Sequence, residues 1–459
     1  MTSQGMRRGL LTAGALLLGL AVAASSWAQG MYYKEILKDG RYYVFNDAKK
    51  ADAFEKSGET GTGLTRMGAG PNGETVFADS ETALELFAFK HGVSLVVEKP
   101  KKPTMDVSWK DGKTTIATDK AQMSISTRIQ ARFTQELPDD SIKLFPGADG
   151  GDGRGSFRIR RAKFKLEGWF YKKELTYEFQ INFMDASSAQ PTRMVEDAWI
   201  NWDVSKKKQF QVKFGQFKVP FGRQELTSSG SQQFVDRSDV SNRYARGRET
   251  GIQLWGGFLK DKAEWRVGAF NGNSRSQTAN DNDKYQYNAR VQFHPNGDPK
   301  FSESDFDSKE KVLWAIAGNF ESNDKHRATT NVDLKDTIWG VDAVVKKSGF
   351  FLQGEYFDKK ASPETGADFK DKGWYGQVGY LVGGPAKGHW ELALRYGKID
   401  SSDLKSGDDR KEVGGAVNYF YNKHNLKVQA DFRQIEDEAA NSGKGTKNKE
   451  FRLQTQFIF

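Results

Sequence analysis

The sequence predicts an all-β protein, a 16-stranded antiparallel transmembrane β-barrel with a small N-terminal α/β module. Three observations lead to this prediction. Apolar and polar residues alternate in many segments from residue 121 onward, short and long connections alternate between these segments, and the chain ends on the aromatic stretch FRLQTQFIF (451–459). After the first 28 residues no run of about 18 apolar residues occurs, so any membrane-spanning part must be a closed barrel.

The first residues are typical of a secretory signal. Arg7 and Arg8 precede an apolar stretch at 10–24, and the small residues Ser26 and Ala28 lie before an expected cleavage near Gln29. We therefore assign 1–28 to a signal peptide and expect the mature chain to be exported. An uncleaved anchor is the alternative interpretation.

The segment after the signal contains an internal repeat. DGRYYVFNDAKKADAF (39–54) is similar to NGETVFADSETALELF (72–87), and each copy predicts a turn, a short strand, an N-capping aspartate and an amphipathic helix. We assign 29–97 to a duplicated α/β module in the periplasm and 98–120 to a linker. The repeat is compatible with a purely structural role and with binding of peptidoglycan or a periplasmic partner protein.

The rest of the chain, 121–459, is assigned to the barrel. The alternation places sixteen strands at 121–137, 156–171, 174–185, 195–204, 209–221, 249–260, 263–273, 285–294, 309–322, 337–348, 349–359, 372–384, 389–400, 411–422, 426–437 and 448–459. One face of these strands is apolar and the other is polar and often basic, as expected for strands between lipid and an aqueous lumen. A soluble β-sandwich or propeller is the competing interpretation of the alternation.

Two places depart from the pattern. The connection at 295–309 is long although it falls on the side of the short turns, which indicates either a shifted register or an insertion. In the stretch RIRRAKF, Ile159 and Phe164 cannot share a face unless a β-bulge intervenes.

Composition excludes several classes of function. The chain of 459 residues has a net charge of +9 and no cysteine, so a disulfide framework, a thiolate metal site and a cysteine nucleophile are excluded. We expect no nucleic-acid partner, because no DNA-binding motif or basic arm is visible. The five histidines show no metal-ligand spacing, and we predict no catalytic residue, no metal site and no cofactor.

A multi-part motif lies between 209 and 256. It comprises Gly215–Lys218, Pro220–Gly222, Glu225, Thr227–Ser229 and Phe234 with Asp236, Arg237 and Ser238. This pattern resembles the phosphate-selective porin O and P family. The resemblance implies a water-filled porin in the outer membrane of a Gram-negative cell, in contact with membrane lipid, homotrimeric and without enzymatic activity. It also implies that the loop 222–248 folds into the lumen and narrows it.

Basic residues on the inner face and in this loop are the candidate anion path. They are Lys218, Arg223, Arg237, Arg243, Arg246, Arg248, Arg128, Arg132 and Lys213. Lysine and arginine lining a pore favour anions, because their charge and donors replace part of the lost hydration. The alternative is that the arginines at 243–248 pair with Asp239 and Glu249 and only hold the loop against the wall.

We therefore expect passive diffusion of small hydrophilic solutes with a preference for anions such as phosphate. The competing hypothesis is a barrel that anchors the N-terminal module, which would then bind peptidoglycan or a partner protein.

Overall fold

A computed structural model describes most of the chain. The described residues are 32–94, 105–137, 154–185, 191–277, 279–308, 310–327, 332–439 and 445–459. The chain divides into two compact units, Met1–Lys102 and Pro103–Phe459, which we treat separately. None of the helices in these residues is long and apolar enough to cross a membrane.

The first unit is a mixed sheet with two helices. Its elements are β1 (Lys34–Lys38), β2 (Arg41–Phe45), α1 (Ala48–Ser57), β3 (Leu64–Arg66), β4 (Thr75–Ala78) and α2 (Glu81–His91). The strand order is β1-β2-β4-β3, with β2 and β4 parallel. Neighbouring residues of β2 point to opposite faces, so Val44 packs with Phe87 of α2 and Phe45 with Phe54 of α1. The two helices therefore cover opposite faces of the sheet.

The two copies of the repeat differ at their helix caps. Asp47 caps α1 by accepting a hydrogen bond from the Lys49 backbone at 2.8 Å, as the sequence predicts. In the second copy the cap is Ser80, which accepts from the Ala83 backbone at 3.1 Å. The expected cap, Asp79, instead accepts from the backbone N–H groups of Asn46 and Asp47 at 3.0 and 3.2 Å. It thereby connects the two copies, a long-range role that no local motif predicts.

The second unit is the predicted sixteen-stranded antiparallel barrel. Its strands are β7 (Ala121–Leu137), β8 (Gly155–Phe170), β9 (Lys172–Asn182), β10 (Val195–Asp203), β11 (Gln211–Lys218), β12 (Arg248–Phe258), β13 (Ala263–Phe270), β14 (Gln286–Phe293), β15 (Leu313–Arg327), β16 (Val332–Lys347), β17 (Phe350–Pro363), β18 (Phe369–Leu381), β19 (Trp390–Asp400), β20 (Asp409–Asn422), β21 (Leu426–Asp437) and β22 (Thr446–Ile458). Pairing of β22 with β7 closes the barrel. The predicted fold class is confirmed.

A short hairpin precedes the barrel. Its strands β5 (Asp106–Lys110) and β6 (Lys113–Ala117) lie within the stretch 98–120 that the sequence assigns to a linker, so the sheet begins earlier than the clear alternation does. Asp111 and Gly112 connect the strands with φ angles of 52° and 73°, the positive pair that a type I′ turn requires. Strand β6 pairs with the first residues of β7 and extends the sheet beside the end of β22.

In the last strand, β22, the alternating side chains point to the outer surface and to the barrel interior in turn. Phe451, Leu453 and Phe457 are exposed on the outer face, whereas Arg452, Gln454 and Gln456 are buried inside the barrel. The C-terminal Phe459 pairs with Thr127, whose backbone N–H donates to the Phe459 oxygen at 2.6 Å. The aromatic stripe is therefore on the outer surface, and its end is bonded to the first barrel strand.

Both irregularities have structural explanations. Gln130 pairs with Arg161 and Ala131 with Ile159, so Arg160 is the extra residue of a bulge. This bulge restores the parity of RIRRAKF. Between β14 and β15 the structure has a real insertion rather than a register error, because regular antiparallel pairing resumes with Ile316 opposite Phe293.

Helices are few and short in this unit. They are α3 (Arg223–Leu226), α4 (Asp239–Tyr244) and α5 (Gly384–Lys387), with 3₁₀ turns at Phe183–Asp185 and Pro191–Met194. Two of them, α3 and α4, belong to the connection between β11 and β12.

Candidate functional site in the barrel lumen

The connection between β11 and β12, residues 219–247, folds into the barrel and is called the inward loop here. The Val219 backbone N–H donates to the Gly247 oxygen at 3.0 Å and closes the base of this loop. Phe221 and Tyr244 both stack on Phe357 of β17, with ring centroids 5.6 and 5.1 Å apart. An apolar cluster inside the barrel therefore fixes the loop to the wall.

Glycines permit this path. Gly222 has a φ of 73° at the start of α3. Gly215 in β11 has a φ of 128°, and a Cβ atom there would lie 2.2 Å from the Ala198 oxygen of β10. A side chain at 215 is therefore excluded by the neighbouring strand.

A basic cavity of about 330 Å³ lies between the inward loop and strands β7–β13. Nine basic and three acidic side chains line it, together with polar and aromatic groups. The lining residues are Arg128, Arg161, Lys163, Lys165, Glu178, Gln180, Glu196, Asp197, Trp199, Lys213, Phe217, Lys218, Leu226, Ser228, Ser229, Arg237, Arg248, Gln253 and Arg266.

Five of the nine predicted residues line this cavity, and they fall into two groups. Arg237 and Arg248 are paired with acids: Arg237 Nε lies 3.1 Å from Glu225 Oε2, and Arg248 Nη2 lies 2.8 Å from Asp197 Oδ2. Their charges are therefore largely neutralised locally.

The other three, Arg128, Lys213 and Lys218, have no carboxylate of the described residues within 4.0 Å. Arg128 donates to the hydroxyls of Ser229 and Ser228 at 3.2 and 3.1 Å. Lys213 Nζ lies 4.0 Å from the centroid of the Trp199 ring, a cation–π distance.

Lys218 donates to backbone oxygens of the inward loop, among them that of Thr227 at 3.0 Å. The closest partners of all three residues are therefore neutral groups, and none of the three is paired directly with a described carboxylate.

The remaining four predicted residues do not line the cavity. Arg132 is paired with Asp236 at 2.7 Å and Arg243 with Asp371 of β18 at 2.7 Å. Arg246 contacts Asp336 at 3.2 Å and also Glu321. Arg223 is fully buried and donates to the Lys300 backbone oxygen.

Arg243, Arg246 and Arg248 therefore pair with acids of the wall rather than with Asp239 and Glu249. Asp239 accepts instead from Arg410 of β20, and Glu249 from the Ser274 backbone at 2.7 Å. For these three arginines, the acids that the sequence suggests as partners are nearby along the chain, whereas the actual partners come from other strands.

Asp236 is the centre of a cationic cluster at the closing seam. Its carboxylate lies 2.7 Å from Arg132 of β7, 3.4 Å from Arg452 of β22 and 3.7 Å from Arg161 of β8. Burial by itself would raise the pKa of Asp236, but Arg132 and Arg452 hold it well below its usual range. The group is a carboxylate, and it ties the inward loop to the seam.

Several lining residues were not among the predicted site residues. Ser228 and Ser229 belong to the sequence motif, and their hydroxyls are the signal for hydrogen bonding to an arginine. Arg161 could not be placed on a face before the bulge at Arg160 was known. Trp199 follows from the parity of β10, which places it beside Asp197 and Asn201 on the inner face. Among the described residues no group of three His, Cys, Asp or Glu could hold a metal ion.

Comparison with known proteins gives consistent matches. The family model for phosphate-selective porin O and P matches residues 141–459. Porin O of Pseudomonas aeruginosa is 24% identical over 389 residues, covering 74% of this chain and 84% of Porin O.

Solved structures match the fold of the barrel. The anion-selective porin from Comamonas acidovorans is similar with a TM-score of 0.51 and 12% identity, covering 74% of this chain and all of that one. The outer membrane channel DcaP of Acinetobacter baumannii is similar with a TM-score of 0.52 and 11% identity, covering 74% of this chain and 98% of that one.

Proposed function

The chain belongs to the phosphate-selective porin O and P family, and from this premise we propose that it prefers small hydrophilic anions, phosphate among them. It is an outer-membrane porin of the Gram-negative type and not an enzyme. In the proposal, solutes cross passively along the basic cavity, and the inward loop narrows the lumen on one side of the route. The Comamonas protein, which has the same fold, is described as an anion-selective porin, and this supports the proposed preference.

The observation that carries the proposal is the excess of nine basic over three acidic side chains around one cavity. An anion entering a narrow pore loses part of its hydration, and ammonium and guanidinium donors can replace it. Arg128, Lys213 and Lys218 suit this role best, because no described carboxylate lies within 4.0 Å of them. The acids Glu196 and Asp197 reduce the net field, which helps a bound anion to leave again.

Block of chloride current by phosphate tests the proposal. In planar bilayers, phosphate should reduce the current, and replacing Arg128 and Lys213 together by glutamine should raise the half-blocking concentration. With about 1 kcal/mol lost per charge at contact distance in water, the expected rise is roughly tenfold to thirtyfold.

The matched control is Lys360→Gln, an exposed lysine paired with Asp368 outside the cavity. Equal half-blocking concentrations for the wild type and the double variant would reject the proposed path.

We further propose that the protein is a homotrimer and that the module 29–97 remains in the periplasm. The family membership supports the trimer, and the position of the module before β7 supports its location, because β7 enters the barrel from the rim of the short turns. Chemical crosslinking in native membranes and protease protection in intact cells test these two statements.

A further inference from the structure

The insertion between β14 and β15, residues 294–312, extends into the barrel; we call it the lumenal insertion. We propose that its Glu303 is a positioning residue that holds the inward loop against the wall of β18–β21, so that solutes pass only along the basic cavity. This inference rests on the proposed function, because it assigns what sets the route through the same lumen.

Glu303 joins three separate parts of the molecule. The side chain is fully buried. Its Oε1 accepts from Gln224 Nε2 at 2.8 Å, and its Oε2 accepts from the Gln233 backbone N–H at 2.7 Å and from Gln377 Nε2 at 3.0 Å. Gln224 and Gln233 belong to the inward loop and Gln377 to β18. One carboxylate thus connects the insertion, the loop and the wall.

The backbone of the insertion strengthens this connection. The Glu303 N–H donates to the Ser231 oxygen of the inward loop at 2.8 Å. The Glu303 oxygen lies 2.8 Å from Nε2 of His424, in the turn between β20 and β21. The next residue, Ser304, donates to Glu391 of β19 at 3.0 Å. The inward loop is therefore hydrogen-bonded to the lumenal insertion, which is itself hydrogen-bonded to the barrel wall.

Behind this contact the lumen is filled. Gln377, Glu391, Asn418 and Gln429 on the inner face of β18–β21 are at most 1% exposed. Gln233 of the inward loop bridges to this face, since its Nε2 donates to Glu391 at 2.8 Å. In contrast, the basic cavity is lined by strands β7–β13 and the inward loop. The insertion thereby determines which side of the lumen remains open.

The insertion also reaches the edge of the cavity. The ring of Phe301 lies 5.1 Å from the guanidinium of Arg223 and 5.4 Å from that of Arg266. Arg266 lines the cavity, whereas Arg223 is buried behind it. Phe301 therefore lies between an arginine that lines the cavity and one that is fully buried.

A carboxylate is chemically suited to this position. Three donors converge on two oxygen atoms, an arrangement that an amide with a single acceptor oxygen cannot fully satisfy. No lysine or arginine of the described residues lies within 4.0 Å of Glu303, so its hydrogen bonds to neutral donors are what compensates its burial.

Single-channel recording of Glu303→Ala tests the inference. Loss of three hydrogen bonds should raise the fraction of undocked loop by roughly a hundredfold. The expected result is a larger and noisier conductance and a lower chloride-to-potassium permeability ratio, because a second route opens that bypasses the basic side chains. Glu303→Gln keeps one acceptor oxygen and should be intermediate. The control is Asp307→Ala in the same insertion, which removes only an exposed ion pair with Lys423 of the β20–β21 turn and should match the wild type.

A folded Glu303→Ala channel with wild-type conductance, noise and permeability ratio would overturn the inference; folding is checked by heat-modifiable mobility in gels. If the alanine variant does not fold, the glutamine variant decides, with increased noise supporting the inference and wild-type noise overturning it. Failure of the proposed function is separate, because it would appear as a lack of anion preference in the wild type, whereas Glu303 is judged on conductance and noise.

Discussion

Replacement of Asp236 by asparagine should release the inward loop from the closing seam of the barrel. The carboxylate lies within 4.0 Å of four arginines: Arg132, Arg452, Arg161 and Arg160. Asparagine has nearly the same shape but no charge. The four guanidiniums would then repel one another without a shared counter-ion.

The size of the effect follows from burial. Removal of one partner from a buried ion pair costs about 3–5 kcal/mol. The Arg132 side chain is 1% exposed and that of Asp236 is 20% exposed, so water compensates part of the loss and the lower end, about 3 kcal/mol, applies. This value corresponds to roughly a hundredfold change in the ratio of docked to undocked loop.

Single-channel recording provides the assay. Asp236→Asn should show frequent excursions to a higher conductance, whereas Asp236→Glu should restore much of the quiet wild-type level. The control is Asp368→Asn, which removes an exposed pair with Lys360 and should have no effect. Quiet, wild-type currents from a folded Asp236→Asn channel would refute the role assigned to this cluster.

Three further predictions concern single groups. Lys213→Gln should weaken block by phosphate about fivefold, and half-blocking concentration measures this effect. It should lower the free energy of unfolding by only about 1 kcal/mol in denaturant unfolding, because Lys213 pairs with no described carboxylate and loses only its cation–π contact with Trp199. Asp342→Ala should lower the free energy of unfolding by about 3–5 kcal/mol, because it leaves the buried Arg290, which is 1% exposed, without its carboxylate partner. Denaturant unfolding in detergent measures this change, and Asp298→Ala, at an exposed position, is the control. The pKa of Asp236 is lowered in the docked loop, because the arginines outweigh the effect of burial. The contribution of Asp236 to loop docking should therefore be complete above about pH 4 and decline as the pH falls further. Current noise should be constant from about pH 8 to 5 and rise only in stronger acid.

The barrel could be predicted because each strand contains its own signal. In β22 the apolar residues Phe451, Leu453 and Phe457 alternate with polar residues, and the structure places them outside and Arg452 and Gln456 inside. The hairpin at 106–117 cannot be predicted in this way, because its strands have five residues each, too few for a clear alternation. Its Asp111–Gly112 turn was the available signal.

The site could be predicted only as far as strand parity reaches. Arg128 and Arg132 lie on the same face of β7, yet Arg128 contacts serine hydroxyls and Arg132 contacts Asp236. This difference depends on the path of the inward loop, which tertiary packing on Phe357 decides. The partners of Arg243 and Arg246 come from distant strands for the same reason.

The lumenal insertion shows the same limit. The sequence shows an unusually long connection on the side of the short turns, which is compatible with a shifted register and with an insertion. Which of them holds depends on the pairing of β14 with β15, and the burial of Glu303 depends on three segments that are far apart in sequence.

Anion preference is tested most directly by the reversal potential of the purified wild-type protein across a potassium chloride gradient in a planar bilayer. The basic cavity predicts a potential on the side of chloride permeation that moves toward zero when Arg128 and Lys213 are replaced by glutamine. A wild-type potential at zero or on the side of potassium permeation would contradict the account.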